Sequence, residues 1–241
     1  MFDNFPKTRT PLPKKYRSIY LTLYSENRNG RSILAKVRSY LESWMHIQVS
    51  KNRENGNKLL EIGAGHLNHI NYEEGYEVYD IIEPLNQEWD SDLLAKVNHC
   101  YSSISEIESD LKYSRVFSIA VLEHIEDLPN LVARSLLLLR EGGKFQAAIP
   151  CEGSFMWFFA SRLLVGLAFR LKYGLSYNTL MNYEHVNNYF EIVEVVNYFF
   201  EKVEIKKMPN MPFHLSLYAY IEASDPRMDR VHKYSLDYEE R

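Results

Sequence analysis

Between Tyr16 and about Gln48 apolar positions recur at helical spacing, as at Ile33, Val37, Tyr40, Leu41 and Trp44. The run is broken by Asn27-Arg-Asn-Gly30, which predicts two helices. A polar stretch from Ser50 to Asn57 resets the chain, and the pattern then shortens into compact apolar runs. Lys58–Ile62, Glu77–Ile82, Tyr113–Ala120 and Lys144–Ile149 each have the length and bulk of a buried strand. A leucine-rich helix is expected from about Asn130 to Arg140, stopped by Gly142-Gly143. The pairs Lys202–Met208 and Leu215–Glu222, with Pro, Asn and His between them, predict a closing hairpin. Strands alternating with helices argue for an α/β fold with a largely parallel sheet.

Two segments stand outside that alternation. Residues 1–15 are rich in Pro, Lys, Arg and Thr and predict an irregular arm lying on the body. Phe155 to Leu171 is apolar almost all round, interrupted by Ser161, Arg162 and Arg170. A helix buried against the core or a second subunit satisfies that pattern. So does a helix lying on a membrane surface, with Trp157 and Phe158 dipping and the arginines meeting headgroups. The expected organisation is an arm and capping helices over 1–55, a core over 56–152, a helical insertion over 153–195, closing strands over 196–225 and a polar tail over 226–241 that adds nothing to the core.

Composition narrows the function. With 241 residues, 46% hydrophobic and 25% charged, the chain supports one ordinary α/β core with an arm or lid. A net charge of -4 gives no general drive toward nucleic acid and favours a small-molecule or glycan acceptor, with the chain a monomer or homodimer. Cys100 and Cys151 form no closely spaced pair, and no export signal opens the sequence, so a cytoplasmic setting is expected.

The chemistry gathers where the predicted strands end. Gly63 and Gly65 follow the first strand in Glu61-Ile-Gly-Ala-Gly65 and let the backbone turn sharply against a ligand. Glu83, about twenty residues on, ends the next strand, where a carboxylate accepts hydrogen bonds from both ribose hydroxyls. A dinucleotide site wants a third glycine where this chain has Asn68, and Glu61 would repel a pyrophosphate but suits an ammonium group. Glu123 and His124 follow the fourth predicted strand, and His185 lies in the insertion. Either His is a candidate base, and either also fits a bland structural role.

Leu59-Leu-Glu-Ile-Gly-Ala-Gly65, Glu83, Val121-Leu-Glu-His-Ile-Glu-Asp127 and Gly142-Gly-Lys-Phe145 with Ile149-Pro150 together resemble the ordered motifs of class I S-adenosylmethionine-dependent methyltransferases. That resemblance implies a Rossmann-like, mostly parallel seven-stranded sheet with helices on both faces, an N-terminal helical arm, and a helical lid between strands 5 and 6. It implies that Glu61, Gly63, Ala64 and Gly65 bracket the methionine part of the cofactor, Glu83 and Pro84 the ribose, Ser103 and Ile104 the adenine, and Ile119 and Ala120 the other side. His46, with Tyr20, Tyr24 and Trp44, would cap the sulfonium. One departure is Leu67, where many members have Gly. The opening Pro11–Tyr16 and Ser43–His46 are similar to methyltransferases found among bacterial surface-polysaccharide genes, which implies O-methylation of a sugar or sugar-linked group. Glu123-His124 with His185 also resembles metal-assisted O-methyltransferases of small RNAs and of the ubiquinone pathway. Those carry a further Glu where this chain has Ala120, so no metal is expected. A metal-assisted O-methyltransferase acting on another small molecule or an RNA 2′-hydroxyl, a non-catalytic cofactor-binding partner subunit and an NAD-dependent enzyme remain as alternatives.

Overall fold

The computed structural model describes residues 2–26, 33–51, 56–85 and 89–239. The loop expected at 27–30 and the side chains of Tyr24, Ile33, Val37 and Tyr40 lie outside the described residues.

Two helices, α1 (Lys14–Glu26) and α2 (Ile33–Ser50), precede the sheet. β1 (Lys58–Ile62), β2 (Val78–Ile82), β3 (His99–Tyr101), β4 (Tyr113–Ile119) and β5 (Leu139–Pro150) follow, with the one-turn α3 (Ser91–Leu94) and α4 (Leu128–Leu137) between them. The insertion holds α5 (Phe155–Phe158), a π-helical stretch (Phe159–Val165), α6 (Gly166–Tyr173), α7 (Tyr177–Glu184) and α8 (Tyr189–Phe199). β6 (Phe200–Met208), β7 (Tyr218–Pro226) and α9 (Met228–Glu239) close the chain. The strand order is β3-β2-β1-β4-β5-β7-β6, with β7 antiparallel to both its neighbours. The order reverses between β1 and β4, and in open α/β sheets ligands bind beyond the carboxyl ends of strands at such a switch point.

The two faces of the sheet are covered differently. Leu60, Val116, Phe145 and Ile221 look onto α4, α8 and α9, through Val132, Leu136, Ile192, Val196 and Val231, in one continuous apolar core. On the other face Leu59, Tyr79, Phe117 and Tyr220 meet Met45 and Val49 of α2. Between them runs a buried polar chain. Arg115 forms a two-pronged ion pair with Glu73 at 2.9 and 3.0 Å and donates through Nε to Gln146 at 2.9 Å, and Gln146 donates to Tyr220 at 2.7 Å. The pairing leaves neither buried charge alone.

Three expectations change. The Leu-rich helix ends at Leu137 rather than Arg140, and the chain enters β5 at once. The Gly142-Gly143 pair lies in an outward loop of that strand, because β4 pairs Tyr113 with Leu139 but Arg115 with Lys144. A Cβ on Gly143 would stand 2.8 Å from the Arg140 carbonyl oxygen. β3 went unseen because three half-exposed residues at a sheet edge have no apolar signature. The polar tail instead forms α9, whose Val231 and Tyr234 are buried, since its few apolar residues fall on one face.

The arm is pinned along its length. Phe2 packs edge-on to Tyr198 at 5.1 Å in the apolar core, Arg9 donates to the carbonyl of His124 at 2.5 Å, and Leu12 and Tyr16 join Phe169 and Leu180 of the insertion.

Candidate active site

The parallel strands deliver four segments to one edge of the sheet. Beyond β1 the chain takes positive φ at Gly63 (72°), Gly65 (53°) and Leu67 (62°). Gly63 is required on two counts, since a Cβ there would stand 2.5 Å from a Val121 methyl and strain the backbone as well. At Leu67 the left-handed conformation of the usual glycine is kept by a residue that pays for it with a fully buried side chain.

Glu83, just past β2, holds the turn. Its carboxylate accepts from the Gly65 N–H at 2.7 Å and the Leu85 N–H at 3.0 Å, which leaves acceptor capacity for further donors. Pro84 is exposed beside it. Glu83 N–H donates to the Tyr101 carbonyl, so the end of β3 and the Ser103-Ile104 turn stand alongside. There Ser103 caps the 3-10 turn that Ile104 begins, and Ile104 rests on the core. Ala64 is buried under the turn, and Ile119 and Ala120 close the next strand, Ala120 with a φ of 54°.

Glu61 points into the polar face. Its carboxylate accepts from the Tyr79 hydroxyl at 2.6 Å, and burial pushes its pKa up to about 8, against the pull of that hydrogen bond. His46 stacks on Tyr72 and faces His69 at 3.1 Å between their Nδ1 atoms, and burial followed by the neighbouring His69 lowers its pKa to about 4. Trp44 packs on the apolar cluster that holds Met45, Val49 and Ile70. Tyr20 does not join them, because its ring packs edge-on to Tyr183 in the insertion. The expected aromatic cap over the sulfonium is thus divided between two places.

Across the switch point, Glu123 and His124 form a 3-10 turn after β4 that locks onto the end of the insertion. The Glu123 carbonyl accepts from Val186 and Asn187, and the Asn187 amide donates to the carbonyls of Leu122 and Ile125. The His124 and His185 rings meet edge to face at 4.7 Å. His124 Nδ1 lies 2.8 Å from the Glu184 carbonyl oxygen, which can only accept, so that nitrogen carries a proton and Nε2 faces elsewhere. His185 Nδ1 is hydrogen-bonded to Glu152, which follows β5. Burial opposes a proton on His185, but the Glu152 bond and the charges of Glu123, Glu152 and Glu184 outweigh it and raise its pKa. Burial raises the pKa of Glu123, against the two His residues.

Two cavities meet at Asn182 and His185. One, of about 500 Å³, is lined by Glu152, Trp157, Phe158, Ser161, Met181 and His214. The other, of about 460 Å³, lies under the arm against Lys7, Thr8 and Arg9. Sequence reasoning missed Glu152 and the arm's Arg9. The first could have been found from its place two residues past a strand end on the ligand edge, whereas the second carries no local signal.

The cluster also has donors for a cation. One atom each from Glu123, His124 and His185 lie within 4.8 Å of one another, and the buried Glu123 Oε2 has no hydrogen-bond partner among the described residues. Two imidazoles with one carboxylate suit a first-row transition metal better than magnesium.

The sequence matches no family model and no curated protein. The structure matches solved ones. A Burkholderia thailandensis 1,6-didemethyltoxoflavin N1-methyltransferase, bound to that compound and S-adenosylhomocysteine, superposes with a TM-score of 0.54 at 16% identity, over 90% of this chain and 92% of its own. The N-methyltransferase NodS of Bradyrhizobium japonicum, also with S-adenosylhomocysteine, gives 0.51 at 12% identity over 88% and 100%. An S-adenosylmethionine-dependent methyltransferase of Thermotoga maritima gives 0.51 at 13% over 87% and 96%. The chain therefore has the Rossmann-like methyltransferase fold, as its strand order and switch point already indicated.

Proposed function

We propose that the chain is an S-adenosylmethionine-dependent methyltransferase that methylates a hydroxyl of a sugar or sugar-linked group, as a precursor of surface polysaccharide. The observation that carries this reading is the meeting, at one switch point, of the Gly63–Leu67 turn braced by Glu83 with a His185–Glu152 pair that opens on an aromatic cavity. In this reading the turn and Glu83 hold the methionine and ribose parts of the cofactor. The Ser103-Ile104 turn flanks its adenine, and Ile119 and Ala120 close the cofactor's other side.

His185 is the base, oriented by Glu152, while His124, tied to Glu184, supports it. The acceptor oxygen forms its bond to the methyl carbon as the carbon–sulfur bond breaks, and the bonding electrons stay on sulfur. The hydroxyl proton passes to His185. Alignment of the two partners supplies much of the rate. Trp157 offers a face for the apolar side of a sugar ring, and Asn182 and Ser161 offer polar groups at its edge.

The first test is thermal unfolding with S-adenosylhomocysteine or NAD. At a hundredfold excess over its dissociation constant a ligand stabilises by about 2.7 kcal/mol, a shift of several degrees. A shift with S-adenosylhomocysteine alone is expected. No shift overturns the reading, and one with NAD alone replaces it. Transfer of a labelled methyl group to nucleotide sugars then tests the acceptor class.

The unpartnered Glu123 oxygen favours a second reading, in which Glu123, His124 and His185 hold a divalent cation that polarises the acceptor oxygen. Calorimetric binding of manganese that Glu123→Gln abolishes would establish it, and turnover unaffected by chelation would remove it.

A further inference from the structure

Five apolar residues of the insertion fall on every fourth position, and all are exposed. Phe155, Phe159, Leu163, Leu167 and Leu171 each keep between 43% and 80% of their surface in solvent. In an α-helix each step of four residues rotates the face by about 40°, so such a row would wind around the helix. Here the π-helical stretch Phe159–Val165 interrupts the run, and its wider turn makes a step of four fall short of a full circuit. The two drifts oppose each other, so the row winds around the helix less than it would in an unbroken α-helix.

Charge is distributed to match. Residues 153–183 contain Arg162, Arg170 and Lys172 and no acidic residue. Residues 4–25 contain Lys7, Arg9, Lys14, Lys15 and Arg17 and again no acidic residue. The two segments pack together through Leu12, Tyr16, Phe169 and Leu180, and the Ser176 N–H donates to the Tyr16 hydroxyl at 3.0 Å. They hold eight of the 28 basic residues and leave 20 against all 32 acidic ones in the rest of the chain. Lys7 and Arg9 are paired with Glu191 and Glu126, while Lys14, Lys15, Arg17 and Arg170 are exposed, Arg170 on the same helix as Leu167 and Leu171.

We infer that this face docks on an anionic lipid surface, the leucine and phenylalanine ridge entering the headgroup region and the basic rim meeting the phosphates. An apolar ridge flanked by basic residues is the pattern of a helix that lies in the interface. No helix among the described residues is long and apolar enough to cross a membrane. The ridge begins at the acceptor cavity, which Phe155, Trp157, Phe158 and Ser161 line. Docking therefore places the cavity mouth at the bilayer surface, where an acceptor with a lipid anchor is presented; this last step rests on the methyltransferase reading.

The test is co-sedimentation of the full chain with vesicles of phosphatidylcholine, with or without phosphatidylglycerol. Binding is expected to the phosphatidylglycerol vesicles, weakened by salt, and about fivefold weaker for each basic residue neutralised in Lys14→Gln and Lys15→Gln. The triple variant Leu163→Glu, Leu167→Glu, Leu171→Glu should lose it while its S-adenosylhomocysteine midpoint shift is kept. No binding, or binding unchanged by the triple variant, overturns the inference. A wild-type dimer in light scattering that the triple variant dissolves would assign the ridge to a second copy and overturn it too. Lost vesicle binding with an intact S-adenosylhomocysteine shift removes the docking surface alone, whereas the converse removes only the enzymatic reading.

Discussion

The Gly63–Leu67 turn and the helical run 155–173 stand at the same edge of the sheet and are built in opposite ways. The turn is short and anchored at both ends by buried residues, and it presents backbone N–H groups whose positions depend on three positive φ angles. The helical run presents side chains, and much of its apolar surface lies in solvent. A ligand common to many enzymes can be met by backbone geometry, which tolerates little substitution. An acceptor particular to one enzyme is met by side chains on a helix, where exchange costs the core almost nothing.

That contrast can be broken, most forcefully at Gly63. Gly63→Val puts a side chain into Val121 and should abolish S-adenosylhomocysteine binding in calorimetry by at least about a hundredfold, a change large enough to separate lost geometry from a weakened contact. Retained binding would deny the turn its role. On the acceptor side, His185→Ala and Glu152→Gln should lower turnover by about 10²–10⁴-fold with cofactor affinity nearly unchanged, as removal of a base does. A matching fall in affinity would place the pair in the cofactor site instead.

A smaller effect sharpens the account of Leu67. Leu67→Ala loses a buried side chain and keeps the strained backbone, at a cost of about 2–5 kcal/mol. Leu67→Gly loses the same contacts but relieves about 1–2 kcal/mol of strain, so in chemical denaturation it should be the more stable variant, against the usual order. A further test concerns pH. With its pKa raised from 4.5 to about 8, Glu61 binds more protons folded than unfolded between those values. Its contribution is therefore whole below about pH 4.5 and lost as the pH rises through 8, and Glu61→Gln should flatten the fall in thermal midpoint between pH 5 and pH 8.

The half of the candidate site built on the Gly63–Leu67 turn was legible and the half built on His185 was not, for physical reasons. Lys58–Ile62 is a short run with Leu59, Leu60 and Ile62 apolar, ended by glycines, and the strand occupies those residues and no others. Glu83 could be placed because a strand ends at a carboxylate within a fixed distance of the turn. His185 was visible only as a chemical type, since its partner Glu152 lies 33 positions away and the two meet through tertiary packing. The Arg9 strap likewise spans 115 positions to His124. The division of the aromatic cap could not be read because both Tyr20 and His46 sit on helices whose packing partners come from elsewhere.

Segregated charge gives the molecule an electric dipole, with the positive end where residues 4–25 and 153–183 meet. Near a negatively charged plane, a dipole feels a torque as well as a pull, and the torque acts across roughly the 8 Å over which physiological salt leaves fields unscreened. In the docking inferred above, a chain arriving with any other side foremost would be turned before its apolar ridge touched the surface. Under that inference orientation would precede adhesion, and added salt would slow productive arrival more than it hastened departure, since ions have little effect on a buried apolar contact.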